Sequence, residues 1–431
     1  MNGAKGKRAV EWLKTALIAI LTISALLLGW QTGLFDEFFR VIPLFANMAE
    51  LVKGTAATGS GEPGGVPIKE AARPSTVIIT DKDGGRFGVK YDTKLRNDVY
   101  DMTSRIVSEA LSSASESAEI NESEWRQALS GPGVYFEYFT PVRVSILSGW
   151  LGAKLPDSMG DTLLRRIFVA FGEEISRVYY YDESSGLFYA ADTASFAGES
   201  QELEAYPPNG TLFAYETGIK AAENAPYTII LPDYPHQDVR AVSAGSTEEI
   251  LDLVLSAIGH GNETYAPYES EGALVRVGTQ FYIRADVYGR VAYRRTEMLP
   301  FDSGVRLPGE NAMIEMARII AADTIGSIGS NAEVFFETLE YGAGGTLSVY
   351  FAYYIAGGCI RLAEDGYAAR ITFTDGNVTD IELVFRNYSL SGETNKLYRE
   401  KQALAAAGGE FMMCYYDTGA ERLQPVWVHS S

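Results

Sequence analysis

The sequence predicts an α+β fold: an N-terminal transmembrane helix followed by successive domains, each with a helix packed on an antiparallel sheet. Three observations carry this expectation. Residues 15–30 read TALIAILTISALLLGW, without a single charge. Beyond residue 75, helical periods of apolar residues alternate with β-rich runs broken by Asp-Gly turns. The chain also holds 26 Tyr and 20 Phe, rings that pack well on a pleated surface.

A spanning helix wants about 20 apolar residues. The uncharged run is shorter, but Val10, Trp12 and Leu13 extend it on one side, with Lys14 able to snorkel to the headgroups. Gly33, Leu34 and Phe35 extend it on the other. Lys5, Lys7, Arg8 and Lys14 precede it, whereas Asp36 and Glu37 follow. That asymmetry puts the N-terminus in the cytoplasm and the residues after Phe35 outside, in a single-pass protein of the cell membrane. A cleaved signal peptide is the main rival, but GWQTGLFDEFF offers no small-x-small cleavage site. A buried core helix is the remaining alternative.

The rest of the chain is long enough for two or three domains, and 46% hydrophobic residues supply real cores. The boundaries read as a cytoplasmic tail and transmembrane helix over 1–35, a juxtamembrane segment and flexible linker over 36–74, then α+β domains over 75–205, 206–308 and 309–431. The Gly-, Ala-, Pro- and Thr-rich stretch 54–74, with GSGEPGG inside it, is the composition of a flexible spacer. The formal net charge is −20, and setting aside Lys5, Lys7, Arg8, Glu11 and Lys14 leaves −23. Such a charge repels nucleic acid and anionic polymers, and reads most simply as a solvated acidic surface.

The first domain opens with TVIIT and RFGVKY around Asp83-Gly84-Gly85, a hairpin signal. A helix follows over 93–113, with Leu95, Val99, Met102, Ile106, Ala110 and Leu111 at helical spacing. A second helix is expected over 123–129. Strands are expected at 134–139, 175–181 and 187–191, with short helical pieces at 144–151 and 163–171. The pattern loosens from Glu199 to Pro226. Ser246 and Glu249 then form a capping box for a helix carrying Ile250, Leu253, Val254 and Ile258 inward. Strands follow at 273–277, 280–286 and 290–295.

The same order then recurs. A helix over 311–325 sets Met313, Met316, Ala317, Ile320 and Ala321 on one face. Strands are expected at 333–340, 346–355, 367–374 and 378–386, the last two joined by Asp375-Gly376. A short helix over 396–407 precedes a strand at 411–416. A helix placed before a meandering sheet, twice, implies α+β domains.

No G-x-S-x-G elbow, Walker loop or H-E-x-x-H pair occurs, and no Ser stands three residues before a Lys. The histidines are His236, His260 and His429; His236, in DYPHQD, reads as a solvent-exposed loop residue rather than a metal ligand. The acidic pairs Glu173-Glu174, Glu202/Glu204 and Glu248-Glu249 read as solvated faces or helix starts rather than acid/base sets for glycan cleavage. Cys359 and Cys414 fall in or near expected strands, so a disulfide between them is open, with two buried free thiols the favoured alternative. No catalytic, cofactor or metal residue is assigned, and no cofactor is expected. The residues thus favour a binding or regulatory protein; an envelope enzyme or a ligand-binding surface protein is the alternative.

Behind the single expected anchor lie RPSTVIITDKDGGRFGVKYDT and WRQALSGPGVYFEYFTPVRVSILSGWLG, and GYAARITFTDGNVTDIELVFRNYSLSGETNKLYREKQALAAAGG lies near the C-terminus. These stretches resemble the YycH/YycI family, regulatory proteins of the YycFG (WalRK) two-component system of Gram-positive bacteria. The Pro-x-Trp of CYYDTGAERLQPVWV adds to the likeness. The resemblance implies PepSY-like helix-on-sheet domains, the last of them YycI-like, and no catalysis. It also implies a sensor histidine kinase governing cell-wall metabolism as partner, with a sibling YycI-like regulator. Within the anchor, Ser24, Ala25 and Gly29 are small residues, the first two about one turn from Gly29, and form a candidate contact with a kinase helix. Ordinary lipid-facing composition is the alternative for these three.

Overall fold

The structure, a computed structural model, describes residues 68–156, 159–243, 245–261, 266–296, 309–328, 330–362 and 366–429. The expected transmembrane helix, with Ser24, Ala25 and Gly29, and residues 36–67 of the expected linker lie outside the described residues. The last residues assigned to the flexible spacer, 68–74, are instead packed, with Ile68–Ala71 helical, Ala72 fully buried and the Tyr100 hydroxyl donating to the Lys69 carbonyl at 3.0 Å. Among the described residues no helix is long and apolar enough to cross a membrane. The architecture below is that of one compact unit, Glu62–Val254 with Tyr265–Ser431.

The N-terminal part is a seven-stranded antiparallel sheet. Its strands are β1 (Thr76–Thr80), β2 (Arg86–Val89), β3 (Ala118–Ile120), β4 (Gly133–Arg143), β5 (Leu163–Ala170), β6 (Ser176–Asp182) and β7 (Leu187–Thr193), in spatial order β2-β1-β4-β5-β6-β7-β3. The Asp83-Gly84-Gly85 hairpin forms as expected. Gly84 takes φ +80°, a conformation that only glycine adopts at little cost. Helix α1 (Thr93–Ser112) starts at Asp92, whose side chain accepts from the Leu95 amide at 3.0 Å. Helices α2 (Glu122–Leu129) and α3 (Val144–Leu151) follow.

Two expectations for this region are corrected. Residues 163–170, read as helical, form β5 between β4 and β6. An apolar run of this length fits either period; Ile167, Phe168 and Val169 suit a strand, and ladder pairing on both sides decides it. The buried face of α1 holds Val99, Ile106, Ala110 and Leu111 as expected, with Leu95 at its margin, but Met102 is not part of it and Arg96 is. Met102 is 42% exposed, whereas Arg96, at 1%, lies on the core side with Val99, Tyr100, Ile106 and Leu111. Hydropathy assigns an arginine outward and cannot see a partner supplied from another part of the chain.

The C-terminal part is an eleven-stranded sheet. Strands β11 (Tyr268–Ser270), β12 (Ala273–Val277), β13 (Phe281–Asp286) and β14 (Arg290–Arg295) continue into β19 (Asn377–Val384), β18 (Ala369–Thr374) and β16 (Thr346–Ile355). Then come β17 (Gly358–Leu362), β21 (Phe411–Asp417) and β23 (Pro425–His429), and β15 (Glu333–Tyr341) also pairs with β16. The β14–β19 pairing joins segments 206–308 and 309–431 in one sheet. Its pairings are antiparallel except for β17 with β21. Asp375 and Gly376 turn β18 into β19 with φ +49° and +74°.

Helix α4 (Thr247–Ala257) has the expected reciprocal cap: the Ser246 amide donates to Glu249 at 3.1 Å and the Glu249 amide to the Ser246 hydroxyl at 3.3 Å. Its buried face holds Ile250, Leu251 and Val254, while Leu253 and Ile258 are half-buried, so the face is turned from the one expected. Helix α5 (Glu310–Asp323) buries Met316, Ala317, Ile320 and Ala321 as its spacing predicts, with Met313 at the margin.

Two small sheets complete the unit. Strands β8 (Leu212–Phe213) and β9 (Ile229–Ile230) pair with each other. Strand β10 (Gln237–Ser243) lies between β20 (Arg386–Thr394) and β22 (Arg422–Leu423). Around β8 and β9, Phe213, Tyr227 and Ile229 pack with Ile78, Trp125 and Tyr135 of the first sheet region. Ala214, Ala222 and Ile230 pack with Leu404 of helix α6 (Glu400–Ala407) and with Phe411.

The seam between the two large sheets has a consistent polarity. Donors come from the N-terminal part and glutamates from the C-terminal part. Arg96 pairs with Glu333, Arg143 with Glu310, and Arg165 with Glu410 at 3.1 Å. The Trp150 indole N–H donates to Glu315 at 3.0 Å, and the Tyr91 hydroxyl donates to Glu400. Around Arg96 the rings close in: Phe139 lies 4.5 Å from Phe335 and 4.0 Å from Tyr354, centroid to centroid. The guanidinium carbon stands 5.6 Å from the Phe139 ring centre.

Breaking a buried ion pair from one side leaves the other charge desolvated, at a cost of roughly 3–5 kcal/mol. Arg96→Ala is therefore expected to lower urea-unfolding stability by about 3 kcal/mol. Met102→Ala, nearly two turns away and exposed, is expected to change it by less than about 0.5 kcal/mol. The double variant Arg96→Met/Glu333→Leu should recover most of the loss. Equal effects of Arg96→Ala and Met102→Ala would refute this account of the seam.

Candidate functional site

The described residues hold two clefts of about 360 Å³ each, and both lie where N-terminal and C-terminal segments meet. The first is walled by the loop LPDYPH between β9 and β10, by Leu397–Glu400 leading into α6, and by Tyr91 just past β2. Two prolines, Pro232 and Pro235, restrict the loop backbone; His236 is buried in it while Tyr234 stays exposed at the cleft wall. The rim carries an exposed ion pair, Arg399 with Asp233 at 3.0 Å.

His236 corrects the expectation of a solvated loop histidine. It is only 8% exposed, edge-on to Tyr91 at 4.6 Å and to Trp427 at 5.6 Å, centroid to centroid. Burial, reinforced by the nearby Lys90 ammonium, lowers its pKa to about 4. The ring is therefore neutral at physiological pH, and its Nδ1 is buried without a hydrogen-bond partner. The sequence placed His236 among carboxylates but gave no sign that aromatic rings would enclose it.

Glu400, at the start of α6, is 7% exposed. Burial pushes its pKa up against the pull of Lys90, the Tyr91 hydroxyl and the Leu231 amide. Tyr91 donates to one carboxyl oxygen and Leu231 N–H to the other. Burial and the Glu400 charge hold the Tyr91 phenol well above its ordinary pKa, so it stays a donor. With both oxygens engaged, Glu400 ties β2 and the LPDYPH loop to α6, and this arrangement suits positioning better than proton transfer.

The second cleft is built on Arg166, which with Arg165 places two cations inside the apolar run LLRRIFVA of β5; Arg166 lines the cleft with Glu183 and Glu410. Arg166 reaches Glu137 and Glu183, each at 3.3 Å, and also Glu410. Glu137, Glu183 and Glu410 approach from β4, the β6–β7 turn and the residue before β21. Burial raises the Glu183 pKa despite the two guanidinium groups. Burial acts the same way on Glu410, but Arg165 and Arg166 outweigh it and lower that pKa. The two carboxyls differ in proton affinity, yet both are held by one guanidinium. The available sequence signal was the Arg-Arg pair in an apolar run, which an expected helix would have placed on a solvated face.

Cys359 and Cys414 are buried free thiols that lie opposite each other in the β17–β21 register. They hydrogen-bond to each other; Cys359 is raised first by that bond and then by burial, while Cys414 is lowered because the same bond favours its thiolate. Glu173, Glu174, Glu202, Glu204, Glu248 and Glu249 are all exposed. Among the described residues, no group of three or more His, Cys, Asp or Glu is placed to hold a metal ion.

The lowered pKa of His236 sets a pH window. The unfolded chain takes up the proton near pH 6.5, whereas the folded protein takes it up near 4. Stability from this group is thus complete above pH 6.5 and is lost as pH falls toward 4. His236→Gln should flatten that part of the urea-midpoint profile. In the unsubstituted protein, the His236 imidazole NMR signal should titrate near 4, and a midpoint near 6.5 would contradict the enclosure described here.

No family model matches the chain, and no curated protein matches it in sequence. Among solved structures, its fold is similar to the crystal structure of YycH from Bacillus subtilis. That match has a TM-score of 0.54 at 11% identity and covers 86% of this chain and 96% of that chain. An uncharacterized protein from Eubacterium rectale aligns with a TM-score of 0.27 at 10% identity, over 45% of this chain and 76% of that one. The α+β fold of this chain is YycH-like.

Proposed function

We propose that this protein is a membrane-anchored accessory regulator of a cell-wall sensor histidine kinase of the YycFG type, acting by contact and catalysing nothing. The observation that carries the reading is the likeness of fold to YycH over 96% of that chain. The sequence patches that resemble the YycH/YycI family support it, as does the uncharged run 15–30 with its flanking charge asymmetry. In this reading residues 15–30 span the membrane once, the N-terminus is cytoplasmic and the described unit stands outside the cell. A sibling YycI-like regulator is a further partner.

Regulation by contact requires unequal affinity for the kinase's signalling states. Ser24, Ala25 and Gly29 offer a strip on which a kinase helix can approach closely. The Gly-rich spacer transmits force poorly, so the helix contact and any contact of the outer unit act as two linked but separable attachments.

The test is co-purification of the full chain with the histidine kinase from native membranes, with phosphorylation of the cognate response regulator read in parallel. Replacing residues 15–30 by an unrelated membrane anchor is expected to weaken the association at least tenfold and to abolish the effect on phosphorylation. Unchanged association and regulation after the swap would refute the helix contact. Failure of the unmodified chain to associate with any kinase would refute the reading as a whole.

A further inference from the structure

Cys359 and Cys414 are the only thiols in the chain, and the fold makes them neighbours. They belong to β17 and β21, the parallel pair in the large sheet, and face each other in its register. Neighbouring strands stand roughly 4.8 Å apart. That spacing falls inside the window of about 4.4–6.8 Å between the Cα atoms of disulfide-linked residues. Phe139, Phe335, Ala352 and Tyr354 surround the pair. Arg361, two residues from Cys359, is bound to Glu337 at 3.2 Å.

We propose that Cys359 and Cys414 form a reversible redox pair, closed to an intrachain disulfide by exchange with a small-molecule disulfide and reopened by a thiol reductant. The geometry favours a labile bond over a permanent staple. Side chains facing each other across parallel strands keep about the strand spacing, roughly 4.8 Å. The Cβ atoms of a relaxed disulfide stand about 3.5–4.5 Å apart. Closure therefore draws β21 toward β17, and the resulting strain makes the bond easier to reduce. The C-terminal end of β21 is pinned, since Asp417 accepts from Arg386 and Tyr388 and the Tyr415 hydroxyl donates to Gln237, so the shift is a local one at Cys414, where the only other strand neighbour among the described residues is β23 at the end of the sheet.

The exchange balances as two displacements. The Cys414 thiolate, favoured by the Cys359 hydrogen bond and by Arg361, attacks one sulfur of the oxidant. This forms a mixed disulfide and releases the first small thiol, which carries a proton. The Cys359 sulfur then displaces the second small thiol from Cys414, and that thiol carries the other proton. Two protein thiols are oxidised and one disulfide is reduced. Both sulfurs are buried, so the reaction proceeds through opening of the β21–β23 edge.

The test uses the full chain in buffers of graded reduced and oxidised glutathione, followed by acid quenching, denaturation, maleimide labelling and intact-mass measurement. The expected species has lost two hydrogens, takes up no maleimide and carries no glutathione. Its fraction should follow the buffer ratio and return to the dithiol form with dithiothreitol. A refolding arm from urea in oxidised buffer separates poor access from poor geometry. Two labelled thiols in that arm, a glutathione adduct as the end state, or a link between two chains would overturn the proposal. A bond that dithiothreitol fails to reopen in the folded protein would also overturn it. Cys359→Ala, or Cys414→Ala if the first does not fold, should instead stop at a single glutathione adduct. Kinase association enters none of these readouts, so this pair and the regulatory reading fail independently.

Discussion

A desolvated charge is tolerable only beside its counter-charge, and the seam between the two large sheets depends on that constraint. Arg96 is almost wholly buried in the N-terminal part, yet its carboxylate, Glu333, belongs to β15. Arg143, Trp150, Arg165 and Tyr91 repeat the arrangement with Glu310, Glu315, Glu410 and Glu400. Neither part contains both halves of these pairs. Docking in this register supplies the buried Arg96 with its carboxylate, whereas Glu315 and Arg165 also have partners within their own part, Arg318 and Glu137. The acidic composition acquires a second meaning here. Glu137, Asp182, Asp238, Glu315, Glu400 and Asp417 are buried, so part of the negative charge read from the sequence as solvated surface is internal.

The clefts follow from the same seam. One includes the Tyr91–Glu400 link and the other the Arg166–Glu410 link. Each cleft occurs where the sheets diverge beyond a polar contact, with its carboxylates already committed to donors. His236 is different, because its environment offers aromatic edges and no acceptor for Nδ1. A neutral imidazole meets this at the lowest cost, which is why burial rather than charge dominates its behaviour.

Local chemistry was the part of the structure most readable in the sequence. The Asp83-Gly84-Gly85 and Asp375-Gly376 turns, the Ser246/Glu249 cap and helices α1, α2 and α5 all rest on contacts within a few residues. Strands β10, β20 and β22 escaped notice because their partners are distant and their hydropathy is mixed. In β20, for instance, Arg386 and Tyr388 are buried only because Asp417 receives both, at 2.9 and 2.8 Å. The same holds for Arg96 and for Arg165–Arg166, whose acceptors lie in other elements. The thiols were legible as strand residues, but their alignment required the β17–β21 register, which no local pattern encodes.

Strand β10 carries a further consequence. Its partners are β20 and β22, and Asp238 at its start accepts from Arg422, 184 residues onward. Contacts that distant form late, after the entropy of closing a long loop has been met. Since a polypeptide is made from its N-terminus, Gln237–Ser243 has no ladder to join until Arg386–Thr394 has left the ribosome, and its second edge stays open until Leu423 follows. Over that interval its backbone amides and carbonyls are an open template for stray pairing. Such a chain has reason to depend on holding factors until synthesis passes β20, and products stalled or stopped before that point should be preferred targets for proteolysis.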